Sequence, residues 1–462
     1  MKKAEALSSA SFLKPLAERA AMGRALRARA PRKGLGDYRV RADRADPIDL
    51  LQANSAGRVE ALLPIRYGRM VASPFAFYRG AAAIMAHDLH GSADAGIKPV
   101  ICGDAHLMNF GGFATPERNL VFDINDFDEA SIGPFEWDVK RLCASLAIAA
   151  ADRGFDAVAQ AAAAWSAADS YRDHMGRYGA MPILKAFYEW IDLEELIADT
   201  SDDDLRRLHQ ARLRKEAGRD PNLHQFSKLT EVKDGALRIK EAPPLIFHDA
   251  DFERDADFRA KAEVMLTRYR DNLAPERRLL FDRFRVVDVA MKVVGVGSVG
   301  TRCGIVLLTS GNGDPLFLQF KEARASVLEA YQGRGHFRHH GERVVFGQRL
   351  MQAASDVFLG ITKSEDFHYY VRQLRDSKVS ADVNVMKPAN LARYGRACGW
   401  ALARAHKRSA DAAVISGYLG KGDGFADAMA RFAMGYAEQN ARDHEALVDA
   451  IREGRVEAET LV

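Results

Sequence analysis

Cysteine is scarce. The four in 462 residues (Cys102, Cys143, Cys303 and Cys398) lie far apart with no C-x-x-C pair. That argues against a zinc cluster or disulfide frame and for a reducing compartment. The 13 histidines form no H-E-x-x-H or other paired spacing, so a histidine-built metal centre is not expected. No apolar run approaches the ~20 residues needed to cross a bilayer; "LCASLAIAAA" stops at Asp152. Net charge is nearly absent too: 66 Lys plus Arg against 63 Asp plus Glu leave +3, so bulk electrostatics names no partner. A cytoplasmic protein is expected, and the sequence names no oligomeric state.

One local charge excess stands out. Residues 1–35 hold nine Lys or Arg against two Glu. A basic arm over residues 1–44 has the charge to touch nucleic acid or an anionic membrane, but a solvated tail is the expectation. No other nucleic-acid contact is expected, and the arm lacks the apolar core of a signal peptide.

At 48% apolar residues the chain has enough hydrophobic material for several cores, and its length suggests about three domain-sized units. Residues 45–150 read as helices ending in "FAFYRGAAAIMAHDLHG", then a short strand in "KPVICGD", then a hairpin, "FGGFA" and "LVFDIN". "FEWDVKRLCASLAIAAADRG" follows as a helix that Asp138 could cap. Residues 151–280 read as mostly helical, with breaks at "EAGRDPN" and "APPLIFHD". Residues 281–378 change character: three strands separated by two glycine clusters, a helix around "GERVVFGQRLMQAAS", then two more strands. Residues 379–462 return to helix. The fold class is α+β with two lobes.

Two clusters carry the chemistry. "GVGSVG", Gly295 to Gly300, is a G-x-G-x-x-G. A dinucleotide fold requires a helix next, but "TRCGIVLL" reads as a strand. The other use of such glycines is a flap between antiparallel strands whose N–H groups lie over nucleotide phosphates. Gly295, Gly297, Ser298 and Gly300 are its candidates. The flap calls for a lysine on the next strand, and "PLFLQFKEA" supplies Lys321. A lone ammonium at a strand end is often only solvated. In a phosphate role it needs a supporting carboxylate, for which Glu342 comes first and Glu329 second.

The second cluster is "VICGDAHLMNFGGF". Phosphoryl transfer needs a carboxylate that accepts the acceptor's proton and oxygen ligands for Mg²⁺. Asp104 and Asn109, five apart, have the spacing of a base and a metal ligand on one loop, with His106 between them. "NDFDEA" adds Asp126 and Asp128 as metal ligands, while Asp123 is assigned to hairpin structure. Asx residues also cap turns, which is the plainer reading of each taken singly.

"GDAHLMNFG" is similar to the H-G-D-x-H-x-x-N loop of aminoglycoside phosphotransferases and related small-molecule kinases, and "NDFD" to their metal-binding element. "FYRGAAAIMAHDL", "FEWDVKRL", "GVGSVGTRC" and "KEARASVLE" further resemble a bacterial family catalogued as domain of unknown function 2252, over about residues 45–440. The resemblance implies a two-lobed protein-kinase-like fold, with Asp138 bracing the Asp104 loop. Cys102 stands where the H-G-D-x-H-x-x-N loop of the small-molecule kinases has its first histidine. The loop also precedes the glycine flap, the reverse of ordinary kinases, which implies a circular permutation. Either "GWALARAHKRSAD" or "AAAIMAHDLHG" plays the segment that precedes the loop. Asp138 follows Asp126 by only 12 positions, too few for a peptide-binding activation segment. The expected activity is transfer from ATP with Mg²⁺ to a small hydroxyl or amine acceptor. The alternatives are a nucleotide-binding pseudokinase acting as sensor or scaffold, and a nucleotidyl (AMP) transferase. Adenine is expected near the "YYVRQL" strand.

Overall fold

The computed structural model describes residues 11–198, 226–248, 256–374 and 381–459. The first ten residues of the basic arm and the break expected at "EAGRDPN" lie outside the described residues. The chain is of mixed α and β structure. Its principal helices are α1 (Leu16–Ala25), α2 (Pro74–Gly80), α3 (Phe135–Asp152), α4 (Ala157–Ala180), α5 (Ala256–Asn272), α6 (His340–Met351), α7 (Pro388–His406), α8 (Ala412–Leu419) and α9 (Gly424–Arg452).

Helices α3, α4, α7, α8 and α9 share one apolar core with Phe110, Phe135, Tyr171, Ile415 and Phe425. Small residues set the closest crossing. A Cβ built on Gly399 of α7 would stand 2.1 Å from the Ala167 carbonyl oxygen of α4, so these helices meet backbone to backbone. Helix α3 is buried on every side from Phe135 to Ala150, although it carries Glu136, Asp138, Lys140 and Arg141. Buried charges need partners, and two of these four find theirs in the loop described below. The helix begins at Phe135 with Pro134 at its cap position, so Asp138 lies inside the first turn and does not cap it.

Strands β1 (Val100–Ile101) and β4 (Ser131–Ile132) pair with each other, as do β2 (Phe110–Ala114) and β3 (Leu120–Ile124), the expected hairpin. A six-stranded antiparallel sheet forms the second body. It runs in the order β11 (Gly360–Lys363), β12 (His368–Gln373), β10 (Pro315–Glu322), β9 (Cys303–Ser310), β8 (Phe284–Lys292), β7 (Ile246–Phe247). Its register places Lys321 opposite both Cys303 and Tyr370, and Phe320 opposite Gly304 and Val371. Cross-strand partners share a face. Lys321, Cys303 and Tyr370 therefore face one way, and Phe320 and Val371 the other. Helix α5 packs its Tyr269 with the Val306, Leu318 and Val371 side, whereas Val344 and Val345 of α6 cluster with Tyr370 and the helical core.

Two expectations change. Residues 151–280 are not uniformly helical: β5 (Thr230–Lys233) and β6 (Ala236–Ile239) form a hairpin. Its Asp234–Gly235 turn has both residues at positive φ, as an Asp-Gly hairpin turn requires. The basic arm, from residue 11 onward, is docked and not a solvated tail. Arg27 donates to the carbonyls of Gly417 (2.6 Å) and Tyr418 (2.9 Å), and Arg32 to that of Leu419 (2.5 Å). The last carbonyls of α8 have no intrahelical donor, and these guanidiniums supply one. Arg19 also pairs with Asp411 at 3.1 Å.

Candidate functional site

The loop between β1 and β2 is fixed from behind by α3. Gly103 adopts φ 78°, and a Cβ there would stand 2.3 Å from the Glu129 carbonyl oxygen, so glycine is required. The Asp138 carboxylate accepts from the N–H groups of Cys102 (2.8 Å) and Gly103 (2.9 Å). His406, at the end of α7, lies 3.1 Å from the same carboxylate, and its other ring nitrogen is 2.9 Å from the Tyr171 hydroxyl. Asp138 and His406 are completely buried, so the brace is shielded from solvent.

Asp104 stands in front of that brace with its side chain 20% exposed. Arg141, one turn beyond Asp138 on α3, donates its Nε to Asp104 Oδ1 at 2.8 Å. The same guanidinium donates to the Tyr78 carbonyl at 2.7 Å and stacks on the Tyr78 ring at 3.8 Å. Burial disfavours the Arg141 charge, but Asp104 and then Tyr78 outweigh it and raise the pKa above its ordinary value. Asn109 Nδ2 donates to the Asp104 carbonyl at 2.8 Å, closing the loop across its five-residue span. His106 is buried, with Nε2 3.8 Å from Asp104 Oδ2. Burial pushes its pKa down to about 4, so its ring is neutral near pH 7.

The β2–β3 hairpin carries the second group of acids back to this loop. Asn125 N–H donates to the Asn109 carbonyl at 2.7 Å, which sets Asp126 beside the loop's end. Asp126 Oδ1 accepts from the Asp128 N–H at 3.0 Å, leaving both side chains partly open at 34% and 26%. Lys321 of β10 reaches them. Its ammonium bonds Asp128 Oδ2 and lies 3.8 Å from Asp126 Oδ2. Tyr370 of β12 donates its hydroxyl to Asp128 Oδ1 at 2.8 Å. Burial works against the charges of Lys321 and Asp126. The two acids nevertheless carry Lys321 well above its ordinary pKa, and Lys321 followed by Arg372 holds Asp126 below the usual carboxylate range.

This arrangement differs from the expected lysine partners. Glu342 lies on the exposed face of α6. Glu329 accepts from the Ser326 N–H and stands 3.5 Å from Arg343 Nε and 3.8 Å from His340. The place in front of Lys321 is already filled by acids arriving from the hairpin, and α6 supplies Arg343 instead. Arg343 donates to the carbonyls of Asp128 and Ala130, both at 2.7 Å.

Asp126 and Asp128 already share one cation, the Lys321 ammonium, so this pair of carboxylates can answer a positive charge. Magnesium asks for few protein oxygens and completes its shell with water and phosphate. Among the described residues no group of three or more His, Cys, Asp or Glu side chains is arranged to hold a metal, so Asn109 would have to supply the third protein ligand.

The glycine-rich turn connects β8 to β9, and the next element after Gly300 is strand β9, so the geometry of a dinucleotide-binding helix is missing here. Gly295 and Gly300 take φ values of 68° and 85°. The turn is held by its carbonyls: Arg69 donates to Gly295 O (2.7 Å), Arg58 to Gly297 O (2.8 Å) and Val299 O (2.7 Å). Val59 N–H donates to Gly300 O at 2.8 Å. Helix α2 links this turn to the Asp104 loop. A Cβ on Gly297 would stand 3.2 Å from the Arg79 carbonyl oxygen, and Tyr78 next to it holds Arg141. A cavity of about 620 Å³ lies on the other face of the sheet, lined by Val289, Leu318, Phe320, Tyr369 and Val371, and takes in none of these acids.

The structure thus brings Asp104, His106, Asn109, Asp126, Asp128 and Lys321 into one neighbourhood and leaves Glu329 and Glu342 outside the lysine's contacts. Asp123 belongs to the framework, paired with Arg404 at 2.7 Å in full burial. Arg141, Tyr370, Arg372 and His406 are additions. The three-residue interval from Asp138 to Arg141, which puts both on one helix face, was the available signal for Arg141. Comparison with curated proteins finds no match, and neither does comparison with solved structures. A family model described as "Uncharacterized protein conserved in bacteria (DUF2252)" matches residues 58–450, and the chain belongs to that bacterial family.

Proposed function

We propose that the chain is an ATP- and magnesium-dependent phosphotransferase of protein-kinase-like architecture that acts on a small hydroxyl or amine acceptor. The observation that carries this reading is the meeting of Lys321 with Asp126 and Asp128 across 193 positions of sequence, beside a loop that presents Asp104. Separate origins and one cleft are what a triphosphate site between two lobes requires.

Asp104 orients the acceptor. Its Oδ1 is held by Arg141, so Oδ2 is the oxygen that accepts the acceptor's proton. In a loose phosphoryl-transfer transition state little proton movement is needed early, and orientation is the larger contribution. A carboxylate anchored to a buried guanidinium suits that task. His106, neutral near pH 7, shields Oδ2 on one side without competing for the proton. Lys321 leaves Asp128 to pair with the nucleotide's phosphates, and Tyr370 keeps Asp128 in place as it leaves. Magnesium would be held by Asn109, Asp126 and Asp128 and would neutralise charge on the phosphate oxygens. The flap of Gly295, Gly297, Ser298 and Gly300 lies over the phosphates. The N–H groups of Gly297 and Ser298 make no hydrogen bond within the described residues and are available for them.

The chain order is read as a circular permutation. Support comes from the junction of α7 with β1: Ser409, three residues past His406, accepts from the Val100 N–H at 2.9 Å. "GWALARAHKRSAD" is therefore the segment that precedes the loop in an unpermuted order.

The test is incubation with γ- or α-labelled ATP, Mg²⁺ and a metabolite extract, comparing wild type with Asp104→Ala. Label transferred from the γ position alone, and lost in the variant, is the expected result. Transfer from the α position makes the protein a nucleotidyl transferase. Nucleotide binding without transfer, indifferent to Asp104→Ala, makes it a pseudokinase.

A further inference from the structure

Around the glycine turn and α2 stand four arginines that form no ion pair with a carboxylate among the described residues. Arg58 donates to the carbonyls of Asn54, Gly297 and Val299 and to Asn54 Oδ1. Arg66, fully buried, donates to Asn54 Oδ1 and the Gly80 carbonyl, and its Nε and Nη1 have no partner. Arg69 donates to the Gly295 carbonyl. Arg79, on α2, donates to nothing among the described residues, and its Nε is buried without a partner. No carboxylate forms an ion pair with any of the four within the described residues.

A buried guanidinium that lacks a counter-charge destabilises the free protein. Arg58 and Arg66 are buried in this way, and Arg69 and Arg79 are half-buried. Burial, reinforced by Arg66 and Arg324, pushes Arg58 down to about 8; burial pushes Arg66 to about 10 and lowers Arg69 and Arg79 as well. After burial, the influences on Arg79 are Asp104, which supports its charge, and Arg69, which opposes it. The geometry sets Arg79 between the two: its carbonyl stands against Gly297 of the flap, and the preceding carbonyl, of Tyr78, accepts from the Arg141 guanidinium that holds Asp104.

We propose that this arginine shell is an anion site completed by substrate, and that Arg79 is the group that contacts the terminal phosphate of the bound nucleotide. The proposal rests on the phosphotransferase reading, and it names the part of the substrate that this region recognises. A terminal phosphate set between Arg79, the free Gly297 and Ser298 N–H groups and Lys321 faces Asp104 on its far side. Arg58 and Arg69 are committed to the flap's carbonyls and hold it as positioning residues. Arg66 is committed to Asn54 and Gly80 behind them. Arg79 keeps its fork free, and a guanidinium fork matches two phosphate oxygens.

The experiment is calorimetric titration of wild type, Arg79→Gln and Arg79→Lys with ATP, ADP, AMP and inorganic tripolyphosphate, each with Mg²⁺, alongside melting of the free proteins. Arg79→Gln is expected to weaken ATP at least tenfold and AMP less than twofold, with Arg79→Lys between wild type and Arg79→Gln for ATP. Free Arg79→Gln should melt at or above the wild-type temperature, because a half-buried charge with no ion-pair partner has gone; a purely structural arginine would give the opposite. Equal ATP affinity in wild type and Arg79→Gln overturns the proposal, as does an equal loss for AMP and ATP. If wild type binds tripolyphosphate through Arg79 but no nucleotide, the anion site stands and the ATP reading fails. If wild type binds neither, both fail.

Discussion

Asp123 and Asp126 are separated by three positions on one hairpin, and their surroundings are opposite. Asp123 is completely buried; Arg404 Nη2 reaches both its oxygens at 2.9 and 2.7 Å, and the Ala353 N–H adds a bond at 2.8 Å. Asp126 has a side chain one-third exposed and a single cation at 3.8 Å. Behind the loop, carboxylates such as Asp123 and Asp138 have all the donors they need. In front of it, Asp104 and Asp126 keep oxygens partly open to solvent, and the Arg79 guanidinium has no acceptor among the described residues. Carboxylates with every oxygen bonded belong to the frame, and those left partly open mark the place where something else binds.

The contrast can be broken most severely in the frame. Asp123→Ala strips the counter-charge from a buried guanidinium and should cost about 3–5 kcal/mol in urea unfolding. A loss below about 1 kcal/mol would show that the pair does not organise this core. Glu136 is the frame's weak member, a buried carboxylate whose Oε1 accepts the Ala95 N–H at 2.8 Å while Oε2 has no partner. Burial raises its pKa from 4.5 to about 7. Between those values the folded state keeps a proton that the unfolded state has lost, so stability falls as pH rises through that window. The loss is on the order of 3 kcal/mol. Glu136→Gln should flatten that part of the pH–stability curve; an unchanged slope would place its origin elsewhere.

Changes in front of the loop should do much less to stability. Asp126→Ala is expected to leave unfolding within about 1 kcal/mol of wild type, as exposed pairs do, yet to remove Mg²⁺-dependent nucleotide binding. Retention of that dependence would exclude Asp126 as a ligand. Smallest of all, Tyr370→Phe deletes one hydrogen bond to Asp128, worth about 1 kcal/mol. It should slow transfer while leaving the fold intact, and a variant with wild-type turnover would make the hydroxyl incidental.

How far the sequence discloses this follows from the range of each interaction. Asp104 and Asn109 lie within one loop, and the hairpin that returns Asp126 to them is short, so spacing alone brings them together. Lys321 and the glycines are readable for the same reason: a strand, a turn and a strand are local. What was hidden is the choice of partner over distance. Lys321 bonds an acid 193 positions away, His406 braces Asp138 from 268, and Arg27 caps a helix end from 391. Local pattern offers Glu342 to the lysine because it lies on the helix that follows the strand; tertiary packing puts Arg343 of that helix to work instead. The β5–β6 hairpin is a different case: its Asp234–Gly235 turn is a local signal, but it sits within a charge-rich segment whose pattern is helical on either side.

The central claim is that Lys321 and the hairpin acids hold the same magnesium-bound triphosphate. Melting curves of wild type, Lys321→Ala and Asp126→Ala, each with ATP, with Mg²⁺ and with both, test it most directly. A ligand at a hundred times its dissociation constant stabilises by about 2.7 kcal/mol, which is readily seen as a shift in Tm. The account predicts a shift in wild type only when both are present, and its loss in either variant. A wild type that ignores the pair, or a Lys321→Ala protein that keeps the full shift, would contradict it.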